Sequence, residues 1–483
     1  MNIKQKQLKE AIQREIFNKL KDIKDILSIT LVGSFVDKTN LNGIRDIDTI
    51  VICKNLDDNI FKRCIESISE IELTSLGLNN YKLIINSTFG PLKFNEPNIV
   101  VIHLMIYDIK RHKSHVTSSP FTTFDWERSN TSIGIRLKDI FPTGSLQFRD
   151  FINARRGINN YLADLSNNVI SYREYDVNNA FNEIKKIKNL NKNLKQEYAY
   201  HIIKNIINNY MKLYEQSNNY YIEKKTMDEI KRITPQSYLI NKKMIKELFT
   251  FKSTNNYILP NESILWVKEF LSEFETNIKQ EWSQSIIVNF IRHIKTDLNN
   301  NTFLGQGRNP KIKKYKTNKV RNHNSDLVYT SPMSRCKEMA TSLFKDAKII
   351  ISNKLNEINY GDAEGLTYKQ FKKQFPEIDI KWKQGKDPKF PKGENTKDVL
   401  KRLNSFLNEL KISIKNVKDI NEISVITHNV VLRCLLGNAF NIETKNWYKI
   451  NIPHNQDLEF LYFNNKYYPN IPRKLLATIF KEL

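Results

Sequence analysis

Five stretches of the C-terminal region carry residues suited to handling phosphate. IIVNFIRHIKTDLN (286–299) runs apolar and then ends on Arg292-His293. DLVYTSPMSRC (326–336) ends a second apolar run and offers Ser331 and Arg335. KLNEINYGDAEGLT (354–367) brings Glu357, Asp362 and Glu364 around Gly361, and GENTKDVLKRL (393–403) adds Gly393-Glu394 before a helical pattern. ISVITHNVVLRCLLG (423–437) ends a third apolar run on Thr427-His428. Two guanidiniums can bind phosphoryl oxygens bidentately. One imidazole can attack phosphorus and carry a covalent phosphoryl group, while another donates to the equatorial oxygens. A carboxylic acid can protonate the leaving alkoxide and then activate water.

A second constellation lies near the N-terminus. In LVGSFVDKTNLNGIRDIDTIVIC (31–53), Gly33-Ser34 is followed, after eleven residues, by Asp46-Ile47-Asp48. Alternation along a strand puts Asp46 and Asp48 on one face. Paired carboxylates suit Mg2+, a hard cation that shares its shell with phosphate oxygens. A Gly-Ser turn lets backbone and hydroxyl approach a triphosphate. SPFTTFDWERS (119–129) and FINARRG (151–157) mix aromatic and basic residues, and Arg155-Arg156 could meet a phosphate.

These groups must be positioned by ordered elements. SITLVGSF, IDTIVIC and NIVVIHLMIYD are β-branched runs bounded by turn residues and read as strands. YAYHIIKNIINNYMKLY repeats apolar residues at a three-four spacing, and SILWVKEFLSEFE does the same, so residues 151–283 read as helical. IIVNFI, DLVYTS, ISVITH and LEFLYF then alternate with helical stretches, as in an α/β layer fold. The expected organisation is α/β at residues 1–150, a central helical domain at 151–283, and α/β again at 284–483, the last boundary placed in the polar stretch NIKQEWSQ.

The chain has 483 residues and a formal net charge of +24. That balance favours polyanionic partners, although the lysines are dispersed rather than blocked. One acid-free basic run stands out, RNPKIKKYKTNKVRNH (308–323), with Arg308, Lys311, Lys313, Lys314, Lys316, Lys319, Arg321 and His323. The four cysteines form no CxxC pair, which speaks against a disulfide framework or a thiolate zinc site. The N-terminal stretch is a charged amphipathic helix without an apolar h-region, and no run is long enough to span a membrane. A cytoplasmic protein without a membrane partner is expected.

The N-terminal pattern resembles the DNA-polymerase-β-like nucleotidyltransferases, whose signature is a Gly-Ser turn followed by Asp-x-Asp on a strand. The resemblance implies that Asp46 and Asp48 bind Mg2+ and that Gly33 and Ser34 hold the phosphates of an NTP substrate. That family adds a third carboxylate on a later strand. Here NIVVIHLMIYD offers His103 in its middle and Asp108, of opposite parity, at its end. Asp108 substitutes, His103 occupies the third site, or the third carboxylate is lost.

The C-terminal motifs, in their order, resemble the histidine phosphatase superfamily, with its three-layer α/β/α fold. The resemblance implies His293 as nucleophile, Arg292, Arg335 and His428 as phosphate pocket, Glu357 as proton donor and Asn299 as a pocket-lining amide. It departs at Ile294, where the family usually has glycine, and at Lys295, where it usually has glutamate. His454, in NIPHNQDLEF, falls near where that family closes its site. Together the two resemblances imply a bifunctional enzyme acting on a nucleotide or phosphorylated small molecule. RNA end processing by the same two activities, or a nucleotide-sensing head that regulates the phosphatase, are the alternatives.

Overall fold

The structure, a computed structural model, describes residues 3–38, 41, 44, 46–86, 98–176, 178, 179, 181–219, 223–254, 263–299, 301–313, 324–416 and 420–482. It divides into two compact units, Met1–Glu281 and Trp282–Leu483.

In the first unit five strands form one mixed sheet: β1 (Ile26–Val32), β2 (Ile47–Cys53), β3 (Lys82–Asn86), β4 (Ile99–Asp108) and β5 (Ser132–Gly134), in the order β3-β4-β2-β1-β5. β2 runs antiparallel to β1 and parallel to β4. Ile50, Val51, Ile52 and Cys53 are fully buried. That continuous run is what a strand covered on both faces requires. The helix Asp58–Ser69 packs through Ile60, Phe61, Cys64 and Ile68. Its first turn is held by the Asp57 carboxylate, which accepts from Ile60 N at 2.8 Å.

The stretch read as purely helical contains an antiparallel hairpin, β6 (Val169–Asp176) and β7 (Asn182–Asn189). β7 is polar and largely exposed, so it lacks the apolar alternation that signals a strand. Tertiary contacts define it. Tyr175 stands edge-on to Phe61 at 5.2 Å and Phe181 stacks on the same ring at 4.9 Å, so the hairpin shares the core of the five-stranded sheet. Among the described residues the last pair between β3 and β4 is Asn86↔His103. Beyond it, the Tyr175 hydroxyl accepts from Ile106 N and donates to Ile106 O at 2.7 Å, replacing a strand partner. Downstream, the helix Lys192–Glu215 buries Ile202, Ile203, Ile206, Ile207 and Tyr210 completely, the three-four face seen in its sequence.

The second unit is built on six strands: β8 (Ile286–Arg292), β9 (Leu327–Thr330), β10 (Lys348–Ile351), β11 (Glu422–Thr427), β12 (Asp457–Phe463) and β13 (Lys466–Pro469), in the order β10-β9-β11-β8-β12-β13. The first four in that order are mutually parallel, and β12 and β13 close one side as an antiparallel hairpin. Helices Ser334–Leu343, Thr396–Asn416 and Asn429–Ala439 alternate with the parallel strands. Register fixes what matters for chemistry. Thr427 pairs with Arg292, and Ile426 pairs with Thr330. The C-terminal ends of β8, β9 and β11 therefore lie side by side, where α/β sheets present ligand-binding groups.

Tyr175→Phe removes the hydroxyl that satisfies both peptide groups of Ile106. It is expected to destabilise the first unit by about 1–3 kcal/mol in denaturant unfolding. A loss below ~0.5 kcal/mol would show that the hairpin does not anchor to β4 this way.

Candidate active site

His293, Ser331 and His428 each occupy the position immediately after one of the three aligned strands, β8, β9 and β11. The rings of His293 and His428 lie 5.0 Å apart, and both side chains are buried. His293 Nδ1–H donates to the Ile294 carbonyl at 2.7 Å. That bond fixes the tautomer and leaves the Nε2 lone pair for attack on phosphorus. The Ile294 side chain turns the other way, into a buried cluster with Val328, Met339 and Ile426. The residue found where glycine was expected thus contributes its carbonyl to the site and its side chain to the core.

His428 caps the helix Asn429–Ala439, and Arg335 lies in the first turn of the helix Ser334–Leu343. Both therefore sit where helix N-termini favour an anion. Arg335 is fully buried and donates through Nε to His428 Nδ1 at 3.2 Å and through Nη2 to the Gly305 carbonyl at 3.0 Å. Gly305 has φ +61, and a Cβ there would fall 1.9 Å from Glu364 Oε1. Only glycine lets the loop come this close. Glu364 anchors the same loop by accepting from Gln306 N at 2.7 Å and Arg308 N at 3.1 Å. His428 Nε2–H donates to Ser331 Oγ at 2.9 Å, which in turn donates to Asn356 Oδ1 at 3.0 Å.

Arg292 is steered by His454. His454 Nδ1–H donates to the His293 carbonyl at 3.2 Å, and its Nε2 faces Arg292 Nη2 at 3.3 Å. Arg292 Nη1 donates to the Ile452 carbonyl, while its buried Nε has no acceptor among the described residues. Glu357 is buried, with Oε1 accepting from Ile358 N at 3.0 Å and Val430 N at 3.2 Å, next to His428. Asn299 Oδ1 accepts from Thr296 N at 2.7 Å and Thr296 Oγ1 at 3.0 Å, bracing the turn that follows β8. Glu394 holds the Glu357 loop to the helix Thr396–Asn416, accepting from Asn359 N at 2.9 Å and Arg402 Nε at 3.0 Å. Asp362 pairs with Lys392 at the surface.

The electrostatics are lopsided. Burial pushes the Arg292 pKa down to about 10 and also lowers Arg335, with Glu357 opposing both. Burial and the nearby guanidiniums push His293 and His428 well down, and His454 down to about 4. Arg433, lowered by burial, adds a further guanidinium beside Glu357 and Tyr360. Three desolvated guanidiniums near Glu357 make an electrostatic environment suited to an anion. Sequence reading passed over Arg433 and Thr296. The signal for Arg433 was a lone charge inside the apolar helix run NVVLRCLLG.

In the first unit, Asp46, Asp48 and His103 come together, their ligating atoms within 4.8 Å of one another. Asp108 does not join them. Its carboxylate caps the helix Ile109–Ser118 through Arg111 N at 2.7 Å and pairs with the Arg111 guanidinium. Gly33, at φ +73, abuts the cluster, since a Cβ on it would fall 2.5 Å from Asp48 Oδ2. Ser34 opens the short helix Ser34–Asp37. Arg155 lies elsewhere, in a buried group with Glu183 and Tyr107, its pKa lowered to about 10 by burial and by Arg156 and Arg173. In the basic run, Lys314, Lys316, Lys319, Arg321 and His323 lie outside the described residues.

Residues 289–468 match the histidine phosphatase superfamily (branch 1), and the second unit therefore carries a histidine phosphatase domain. Over 124 residues the chain is 34% identical to 6-phosphofructo-2-kinase 1 of Saccharomyces cerevisiae, covering 25% of this chain and 14% of that protein. It is 34% identical over 114 residues to 6-phosphofructo-2-kinase/fructose-2,6-bisphosphatase of Gallus gallus, covering 23% of this chain and 22% of that one. It is 29% identical over 127 residues to the fructose-2,6-bisphosphatase of S. cerevisiae, covering 26% of each. The chain thus spans about a quarter or less of these relatives. Among solved structures, the mycobacterial glucosyl-3-phosphoglycerate phosphatase aligns with 39% of this chain and 98% of its own, at 17% identity and a TM-score of 0.34. Among the described residues, no helix is long and apolar enough to cross a membrane.

His293, His428 and His454 are held neutral in the folded state, whereas unfolded histidine titrates near ~6.5. The unfolded chain therefore binds more protons below that pH. The stabilisation is complete above ~6.5 and is lost as pH falls toward about 4, where His454 itself charges. Calorimetry is expected to show unfolding of the second unit shifting to lower temperature between pH 7 and 5. Each imidazole contributes a slope that rises from near zero above neutrality to about 1.4 kcal/mol per pH unit once the unfolded ring is fully charged. A flat profile there would contradict the burial of neutral rings.

Proposed function

We propose that the second unit hydrolyses phosphomonoesters through a phosphohistidine on His293. The observation that carries this reading is the alignment of three strand ends, which sets His293, His428, Arg292 and Arg335 around one desolvated, cation-rich space. Arg292 and Arg335 bind the phosphoryl oxygens, one of them satisfying the orphaned Arg292 Nε. Glu357, a carboxylate in the free site, takes up a proton as the dianion binds beside it; His293 Nε2 then forms the bond to phosphorus as the ester P–O bond breaks, and Glu357 gives that proton to the departing alkoxide. The incoming dianion raises the proton affinity of His428, which takes up a proton from solvent and then donates a hydrogen bond to the equatorial oxygens as charge grows on them. The Glu357 carboxylate next takes a proton from water, the oxygen attacks phosphorus, and the P–N bond breaks. Inorganic phosphate and the original imidazole result.

The substrate class is a phosphorylated small molecule with hydroxyl groups. Two features support it. Relatives include fructose-2,6-bisphosphatases. Asn429, directly after His428, has a buried side-chain oxygen with no donor among the described residues, a partner for a substrate hydroxyl.

The first unit reads as a nucleotidyl-transfer head. Asp46, Asp48 and His103 would hold a divalent cation, and Gly33, which has no side chain, lets its backbone lie directly against Asp48. Such a cation, when bound, neutralises triphosphate charge and eases ionisation of an acceptor hydroxyl. Gly33 and Ser34 bring backbone and hydroxyl donors to the phosphates, and the β2–β4 register keeps the carboxylates and imidazole on one face.

Phosphate release from a panel of sugar phosphates and nucleotides tests the phosphatase reading. His293→Ala is expected to abolish turnover. Glu357→Gln is expected to slow steady turnover by ~10²–10⁴, while p-nitrophenyl phosphate, whose leaving group needs no proton, still phosphorylates His293 and gives a burst of nitrophenol before the slow phase. Turnover unaffected by His293→Ala removes the assignment. For the head, pyrophosphate release from any NTP should vanish in Asp48→Ala. Its absence already in the wild-type chain, across small-molecule and RNA acceptors, removes the transfer reading.

A further inference from the structure

β4 carries one carboxylate, Asp108, and that carboxylate is committed to capping the helix after it and to Arg111. The side chain that β4 presents to the metal-ligand pair is an imidazole. Parallel register sets His103 directly beside Asp48, with His103 Nδ1 3.1 Å from Asp48 Oδ1. Asp46 stands two residues before Asp48 and so on the same face of the chain. The three side chains are half-buried, which keeps them ordered yet open to an ion and a substrate.

We propose that this centre, resting on the metal-binding reading above, is a two-carboxylate, one-imidazole site that selects a first-row transition ion over Mg2+, with His103 as a ligand. The selection follows from ligand chemistry. Mg2+ prefers oxygen donors and sheds water reluctantly for anything else. Imidazole nitrogen bonds well to transition ions, while carboxylates serve Mn2+ and Mg2+ alike. Exchanging a third carboxylate for imidazole also leaves the site one negative charge poorer. That weakens the Mg2+ complex, which relies on charge, more than a complex with partly covalent metal–nitrogen bonding. Three protein ligands leave positions for phosphate oxygens, so the head would act on nucleotide in the transition-ion form.

The full chain, stripped with chelator, is titrated with Mn2+ alone and Mg2+ alone by calorimetry, and the Mn2+ complex is studied by electron spin-echo spectroscopy. Mn2+ is expected to bind at least ~10-fold tighter than Mg2+, and His103→Asp to cut that ratio by about tenfold, chiefly by strengthening Mg2+. The wild-type Mn2+ complex should show modulation from a directly bound nitrogen, absent in His103→Asp. The spin-echo result on the wild-type chain stands even if the variant folds poorly. An unchanged ratio in a folded His103→Asp, or a Mn2+ complex without nitrogen modulation, overturns the imidazole ligand. If Asp48→Ala still abolishes that binding, the metal site itself survives. Failure of the wild-type chain to bind either ion removes both.

Discussion

Buried positive charge without enough negative charge to balance it is the constraint around which the second unit is organised. Arg292, Arg335 and Arg433 all interact with Glu357, Arg335 with Glu364 as well, and His293, His428 and His454 lie beside those guanidiniums. Taking guanidiniums out of water is costly unless they are paired. The fold meets part of that cost with backbone carbonyls: Gly305 and Arg308 for Arg335, Ile452 for Arg292, Ile450 for Arg433. Carbonyls offer partial charge only, so the remainder falls to a ligand. In the proposed mechanism a phosphoryl dianion would supply what the protein leaves out, and its binding would be coupled to the proton affinities of the imidazoles assigned to the chemistry.

Supporting elements follow from this constraint. Parallel pairing of β8, β9 and β11 delivers three chain ends at one level. Glu364 and Gly305 hold the loop whose carbonyls receive Arg335, and Glu394 with Arg402 ties down the loop that carries Glu357. The isoleucine after His293 is compatible with the site because the contact that matters is made by a backbone carbonyl, available from any residue, while the aliphatic side chain completes a buried cluster. In the first unit the organising contact is the β2–β4 register, which sets His103 against Asp48 and leaves Asp108 to cap a helix.

Much of this was legible in the residues because chemistry at strand ends leaves a local mark. Apolar runs stopping at Arg292-His293, at Ser331 and at Thr427-His428 announce both strand and site. Two kinds of information were not local. The hairpin Val169–Asn189 depends on Tyr175 and Phe181 meeting Phe61, far away in sequence, and its second strand has no hydrophobic pattern of its own. The choice between His103 and Asp108 depends on pairing register and on capping. Parity along β4 separates the two residues but does not say which one faces β2's carboxylates. Arg433 was overlooked because a charge in an apolar helix is visible as an anomaly, whereas its destination is set by how that helix packs.

The covalent intermediate tests the central claim most directly. The full chain is mixed with a turned-over phosphate ester, quenched in alkali within a turnover, digested, and the peptide bearing His293 is sequenced by mass spectrometry. The account predicts a phosphoryl group on His293 that accumulates when Glu357 is changed to glutamine and a good leaving group is used, since water activation is then slow. A substrate that turns over with phosphate on no histidine, or on His428 in place of His293, would contradict it.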